Sequence, residues 1–429
     1  MNPIHLIIIG DELLAGKRQD KHLQKIASTL ASRGAELTSC ESIRDVPGAV
    51  TEAIKNRLAN DTLIITTGGL GPTVDDLTRE GISDATGTGL RFDEDLWNKL
   101  KARYERRGRK ISDSSRSQAL VPERGTFFPN DFGTAPGLVF ECEQYPGSLV
   151  VALPGPPREL NPMWDDQALA FLAERYNWPA PPRRILLRFV MAPEAGIDEK
   201  MRPILKGHPD VGLSSLIRIG RVDVTLSLPS DYPNNTAILR EIADRTQDEF
   251  QDFVFSRSEF TGEEPDRLVD LEEMVMDILR LRKETLATAE SCTGGLISKW
   301  LTDYPGSSDV FWGGVIAYDN SIKQNLLKVS TETLDTDGAV SESTARQMVE
   351  GLLDLTQTTW GIGVTGIAGP GGGSEEKPVG LVYVAVGNRE RIEVKRYEFP
   401  GDREFVRELS ASVGLWMLWR RLIQTEPKE

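Results

Sequence analysis

Histidine is nearly missing from this chain: His5, His22 and His208 are the three among 429 residues, and the last third has none. A catalytic group there that takes a proton must be something other than an imidazole of the same stretch. Cysteine is equally scarce. Cys40, Cys142 and Cys292 lie far apart without CxxC spacing, which excludes a disulfide framework and a cysteine-based zinc site and fits a reducing compartment. Long apolar runs are missing too; the stretch Leu6 to Ile9 is far too short to cross a bilayer, and no charged-then-apolar leader stands at the start. The expected location is the cytoplasm, with no membrane partner. Positive charge is in deficit, 50 Lys and Arg against 65 Asp and Glu for a net charge of −15. A general nucleic-acid binder needs a basic face, so nucleic acid is not expected as a partner, the local basic run from Arg103 to Lys110 notwithstanding. What remains, 39% apolar and 27% charged residues, is an ordinary globular composition suited to small-molecule ligands.

The length allows about three domains. Buried strands are expected at His5 to Ile9, Thr62 to Thr67 and Ser148 to Leu153, with a helix at His22 to Ser32 between the first two, which is the alternation of a parallel α/β sheet. The proline-rich segment Trp178 to Arg183 closes this first domain, residues 1–177. A small α/β module follows at 183–256, with strands at Ile185 to Val190 and Val222 to Leu228 and two helices. After the polar stretch Ser258 to Asp266 a third α/β domain, 263–426, opens with an amphipathic helix and carries strands at Thr285 to Ala289, Phe311 to Ala317, Trp360 to Val364 and Gly380 to Val386.

The densest polar constellation is Thr288-Ala289-Glu290-Ser291-Cys292-Thr293-Gly294-Gly295, where a strand stops and a helix begins. Free amides of Thr293, Gly294 and Gly295 at such a corner would hold an oxyanion or phosphate; a helix cap with glycines for close packing explains the same residues equally well. Ser291 as nucleophile needs a base, and without histidine the candidates are Lys, Tyr or a carboxylate. Lys323 follows a buried strand and sits in the first turn of a helix, where desolvation favours the neutral amine, although most lysines are simply solvated. The glycine-rich run Val364 to Ser374, with Gly369 in it, reads as a mobile phosphate or lid loop, or as a long surface turn. Arg403, beside Asp402 at the head of the last helix, would grip a phosphate or face water. In the first domain, Gly69, Gly71, Thr73, Asp75 and Asp76 follow a strand end, and Asp11 and Glu12 stand at another. Carboxylates at that edge suit a divalent metal on a pyrophosphate, Asp75 and Asp76 being the ligand candidates; an acidic first helical turn accounts for them as well.

Together these motifs resemble the competence/damage-inducible CinA family over nearly the whole chain. The run Ala289 to Gly295, Pro305-Gly306-Ser307-Ser308, Tyr318 with Asn320 and Lys323, Gly338 to Glu342, Thr365 to Pro370 and Lys377 to Gly380 stand in family order. The resemblance implies a nicotinamide mononucleotide (NMN) deamidase domain without cofactor, with a Ser291/Lys323 dyad and further active-site positions at Ser308, Tyr318, Thr365 and Arg403. For the first domain, Gly10 to Leu14, Gly68 to Thr73 with Asp75 and Asp76, Gly133 to Gly137 and Leu153 to Pro157 carry the match. They imply a molybdopterin-binding-like α/β fold with ADP-ribose pyrophosphatase activity, dependent on a divalent metal and with a monovalent cation as a further candidate. Asp20-Lys21-His22 departs from the Thr-Asn pair that many members carry after the aspartate. A KH-like middle module and a homodimer are also implied. The competing expectation is a nucleotide- or pterin-binding regulatory protein that acts through partners.

Overall fold

The computed structural model describes residues 2–73, 76–106, 108, 111–262 and 268–425. They form two compact units, one from the chain up to Pro182 and one from Arg183–Phe260 with the chain from 268 onward. Among the described residues no helix is long and apolar enough to cross a membrane.

The first unit is built on a six-stranded sheet in the spatial order Ser39–Ile43, Ile4–Ile9, Leu63–Thr67, Leu149–Leu153, Gly137–Glu141, Gly125–Phe128. The first four strands are parallel and the last two antiparallel, so the sheet is mixed where the alternation of strands and helices predicted a parallel one. The central strands are buried at nearly every position because both faces are covered, His5, Thr66 and Thr67 being their polar residues. Ile7, Ile9, Ile64 and Val150 enter one core, and Ile4, Leu6, Ile8, Leu63, Ile65 and Val151 the other.

The second unit contains two sheets. Arg183–Phe260 supplies a four-stranded sheet with Arg221–Leu228 and Arg183–Val190 paired antiparallel at its centre, backed by the helices Glu194–Leu205 and Asn235–Glu249. The remainder supplies a five-stranded sheet in the order Phe311–Ile316, Leu286–Glu290, Trp360–Gly366, Leu381–Gly387, Ile392–Glu398, of which the first three are parallel. The two parts share a core: Val190 and Phe255 pack into the cluster of Leu271, Val275 and Trp416, and Phe253 stacks on Trp416 with ring centroids 5.7 Å apart. Buried Arg188 pairs with Asp223 at 3.1 Å and with Asp270 at 2.9 Å, and Arg420 grips Asp252 through two hydrogen bonds of 3.1 and 3.0 Å. The last helix, Arg403–Gln424, is buried at nearly every position from Ser410 to Trp419, which fixes the orientation of its amino end.

Candidate active site

Ser291 immediately follows the strand Leu286–Glu290 and precedes the helix Leu296–Thr302. Its N–H donates to Val364 O at 2.9 Å and its carbonyl accepts from Gly294 N at 3.1 Å. The chain can reverse this tightly because Gly294 and Gly295 adopt φ of 61° and 93°, left-handed values that favour glycine. The predicted corner amides are only partly free. Gly294 N–H serves Ser291 O, and Gly295 N–H donates to the Glu290 carboxylate at 3.0 Å. The expectation that Thr293 to Gly295 together receive an oxyanion is therefore corrected: Thr293 does not line the cleft, and of the corner residues that do, Cys292 is the one whose amide makes no backbone hydrogen bond. Cys292 is packed into the core cluster under the cleft, and burial pushes its thiol up to about 12, which disfavours a thiolate.

Lys323 lies in the short helix Asn320–Asn325, whose first turn is capped by Asp319 accepting from Ser321 N at 2.8 Å. Its side chain is 1% exposed. Nζ donates to Ala317 O at 2.7 Å and to Tyr318 O at 3.2 Å. Desolvation pulls its pKa below the ordinary lysine value, and Asp319 and Cys292 oppose that shift. A neutral amine carries two hydrogens and one lone pair. With both hydrogens directed at carbonyls, the lone pair is left for a third direction.

Ser291, Cys292, Tyr318, Lys323, Thr365 and Arg403 line one cleft of about 260 Å³, at the small end of ligand pockets. Gly369 lines it as well, its carbonyl accepting from Arg403 Nη1 at 2.8 Å. Asp402 caps the last helix through Phe405 N at 2.9 Å, so capping and a cleft-facing arginine coexist. Thr365 is fully buried and its hydroxyl donates to Ala339 O at 2.6 Å. Ser308 does not join them. It is exposed on the 3-10 turn Ser307–Asp309 that precedes Phe311–Ile316, at the amino end of a strand whose parallel neighbour ends at Ser291. Thr293, Gly294 and Gly295 stand behind the cleft rather than lining it. The glycine-rich loop is pinned, not free: Lys377 Nζ donates to the carbonyls of Val340, at 2.9 Å, and Asp337, and Ser374 N to Lys377 O at 2.8 Å.

Two residues of this site had been given no role from the sequence. Arg407, one turn after Arg403, donates to Thr293 O at 2.8 Å and braces the serine corner. Glu290 is fully buried and accepts from the amides of Gly295, Ile297 and Ser298. The i, i+4 spacing from Arg403 is the signal for the first; a glutamate in a strand gives none for the second.

The first unit holds a cleft of about 520 Å³ at the carboxyl ends of Ile4–Ile9 and Leu63–Thr67, lined by Asp11, Glu12, Gly69, Gly71 and Asp76 among others. Thr73 is outside the lining; its N–H donates to Asp76 Oδ2 at 2.9 Å. Asp75 lies outside the described residues. Asp11 is paired with Arg44 at 3.2 Å, and the guanidinium holds its carboxyl below the usual range. Asp20 caps the helix His22–Ser32 through Leu23 N at 2.9 Å, and His22 is turned inward against Thr67 Oγ1 at 3.2 Å, where burial lowers its pKa from the ordinary histidine value. Among the described residues no three His, Cys, Asp or Glu side chains gather in a metal-binding arrangement. Asp11 and Asp76 are engaged by neighbours, while Glu12, Asp20 and Asp45 also line the cleft.

A two-part α/β protein with a serine and a buried lysine in one cleft of its second part is thereby defined. Residues 268–422 match the family described as "CinA C-terminal domain", and residues 5–174 the "Probable molybdopterin binding domain". A CinA-like protein of Nostoc sp. is 37% identical over 97% of this chain and 99% of its own, and one of Thermotoga maritima is 34% identical over 97% of each. The competence/damage inducible protein CihA from Agrobacterium tumefaciens is similar at 42% identity, TM-score 0.34, over 34% of this chain and 91% of that one. The chain belongs to the CinA family.

Proposed function

We propose that the second unit is an amidohydrolase that converts NMN and water to nicotinic acid mononucleotide and ammonia. The observation that carries this reading is Lys323, buried and lowered in pKa, with two carbonyls on Nζ, in the same cleft as the serine corner. Neutral Lys323 takes the Ser291 proton as Oγ attacks the carboxamide carbon. The amide of Cys292 receives the oxyanion. The carbon–nitrogen bond then breaks with the proton returning from Lys323 to the leaving nitrogen. Water, deprotonated by the same amine, cleaves the acyl-serine and restores Ser291. Arg403, at the cleft rim beside Tyr318, holds the phosphate; Tyr318 and Thr365 position ribose and amide. Purified protein incubated with NMN, with ammonia and nicotinic acid mononucleotide measured together, tests the reading, and loss of both products in Lys323→Ala supports it.

For the first unit we propose nucleotide binding, with ADP-ribose as the ligand to try. The support is a roomy cleft where two adjacent parallel strands end in glycines, Gly68 and Gly69 having left-handed φ of 99° and 66°. Calorimetry with ADP-ribose, without and with added divalent ion, separates binding from metal-dependent cleavage.

A further inference from the structure

We propose that Glu290 is the positioning residue of the amidase site: its buried carboxylate gathers the amides of the following turn, sets the direction of Ser291, and leaves the amide of Cys292 for the oxyanion. This rests on the amidase reading above. Glu290 ends the strand Leu286–Glu290 with 0% exposure. Oε2 accepts from Gly295 N at 3.0 Å and Ile297 N at 3.1 Å; Oε1 accepts from Ser298 N at 2.9 Å, Ser298 Oγ at 2.7 Å and Thr288 Oγ1 at 3.3 Å. All five donors are neutral groups. A fully buried carboxylate is costly unless its lone pairs are satisfied, and charge-assisted bonds of this kind are about twice as strong as neutral ones. The arrangement thus joins residue 290 rigidly to residues 295–298, across the corner that carries the nucleophile.

The backbone of Glu290 completes the clamp. Its carbonyl accepts from Ala317 N at 2.7 Å, and the Ala317 carbonyl accepts from Lys323 Nζ at 2.7 Å. Ser291, one residue on, is held at its own N–H by Val364 O. One residue therefore links the turn of the nucleophile to the anchor of the base. Side chains alternate across a strand, so inward burial of Glu290 directs Ser291 the other way, into the cleft it lines. Because Glu290 occupies the amides of Gly295, Ile297 and Ser298, the substrate meets the earlier one of Cys292, which lines the cleft.

Glu290→Gln in the full chain tests this. Glutamine keeps the shape but sets an NH2 group against either the Gly295 and Ile297 amides or the Ser298 amide, so donor faces donor and the turn must shift. The expected result is a kcat for NMN reduced ~100-fold, as a displacement of about 1 Å brings, with KM within about threefold. The acid limb of the pH–rate profile stays where it was, since Lys323 is still the base. Labelling of Ser291 by a fluorophosphonate probe slows by a similar factor, and this readout does not depend on which amide is the substrate. A folded Glu290→Gln protein with wild-type kcat and labelling overturns the proposal, as does an acid limb that moves with this residue. Should Glu290→Gln fail to fold, Ser298→Ala removes one amide-side hydroxyl while keeping the carboxylate; a several-fold loss of kcat and labelling at unchanged KM supports positioning, and no loss refutes it. Wild-type protein that labels at Ser291 but leaves NMN intact would overturn the substrate, not the role of Glu290; absence of both labelling and turnover would overturn both.

Discussion

Lys323→Met separates the chemical role of the lysine from its structural one, because methionine fills the same channel without a proton acceptor. The substitution deletes the hydrogen bonds to Ala317 O and Tyr318 O, of 2.7 and 3.2 Å. Two orphaned buried carbonyls cost about 1–3 kcal/mol each. Against this, the wild-type site already strains to hold an ammonium, as its lowered pKa records, and the thioether gains about 1.5–3 kcal/mol of apolar burial. The net change is about 2 kcal/mol of destabilisation, a fall in Tm of about 4–8 °C for a unit of this size. Turnover should fall ~10³-fold or more, the scale of removing one member of a catalytic pair. The wild-type rate should rise with pH through the lowered lysine value as the neutral amine is formed. In the window between that value and the ordinary one, the unfolded chain holds a proton the folded chain has released, so the lysine's contribution to stability also rises with pH; Lys323→Met should lose both slopes. Stopped assays for ammonia, with thermal melts across pH, measure these together. A melting loss without a turnover loss would mean that the lysine is structural and the mechanism wrong.

Cys292→Ala should keep turnover within about threefold and cost stability instead, about 1–2 kcal/mol for a small buried group; an inactive but folded variant would make the thiol the nucleophile. Arg403→Ala should raise KM for NMN ~10–100-fold while affecting nicotinamide riboside, which lacks the phosphate, far less; equal losses on both would remove the arginine from the phosphate. A fragment covering 268–425 carries every amidase residue named, and should be active yet melt well below a fragment starting at 183. It uncovers Trp416, which stacks on Phe253 and donates to Asp252 O at 2.7 Å, and leaves Asp270 without Arg188. Matching melting curves would show that the four-stranded sheet adds nothing.

Much of the site could be read in the chain because local pattern and tertiary position coincide there. The run Leu286 to Ala289, apolar but for Thr288, stops at Glu290 and meets two glycines, which dictates a strand, a corner and a helix. Lys323 was marked by following an expected buried strand in a stretch with no histidine; that strand, Phe311–Ile316, is instead an edge strand with alternate residues exposed, and the lysine is buried by turning back onto the carbonyls of Ala317 and Tyr318. Ser308 shows the limit. Its motif stands in family order, but order along the chain does not say at which end of a strand a residue sits, and Ser308 is at the other end. The glycine-rich loop read as mobile because glycine lowers local order; what restrains it is Lys377 on carbonyls some 40 positions earlier, a contact that composition cannot encode. The antiparallel edge of the first sheet was hidden for a related reason, since Gly125–Phe128 and Gly137–Glu141 are short and pair with each other through a loop. Glu290 was the deepest omission: it stands in the polar constellation beside Ser291, but its role is not readable until the amides of 295–298 are seen to converge on it.

The central claim is that Ser291 performs amide hydrolysis on NMN. Its most direct test is mass spectrometry of full-length protein mixed with NMN and quenched within the first turnovers, on wild type and on Ser291→Ala. The account predicts an acyl adduct on the peptide containing Ser291 and nicotinic acid mononucleotide in solution for the wild type, with neither for the folded alanine variant. Nicotinic acid mononucleotide formed at the wild-type rate by Ser291→Ala, or an adduct on Cys292 in its place, would contradict it.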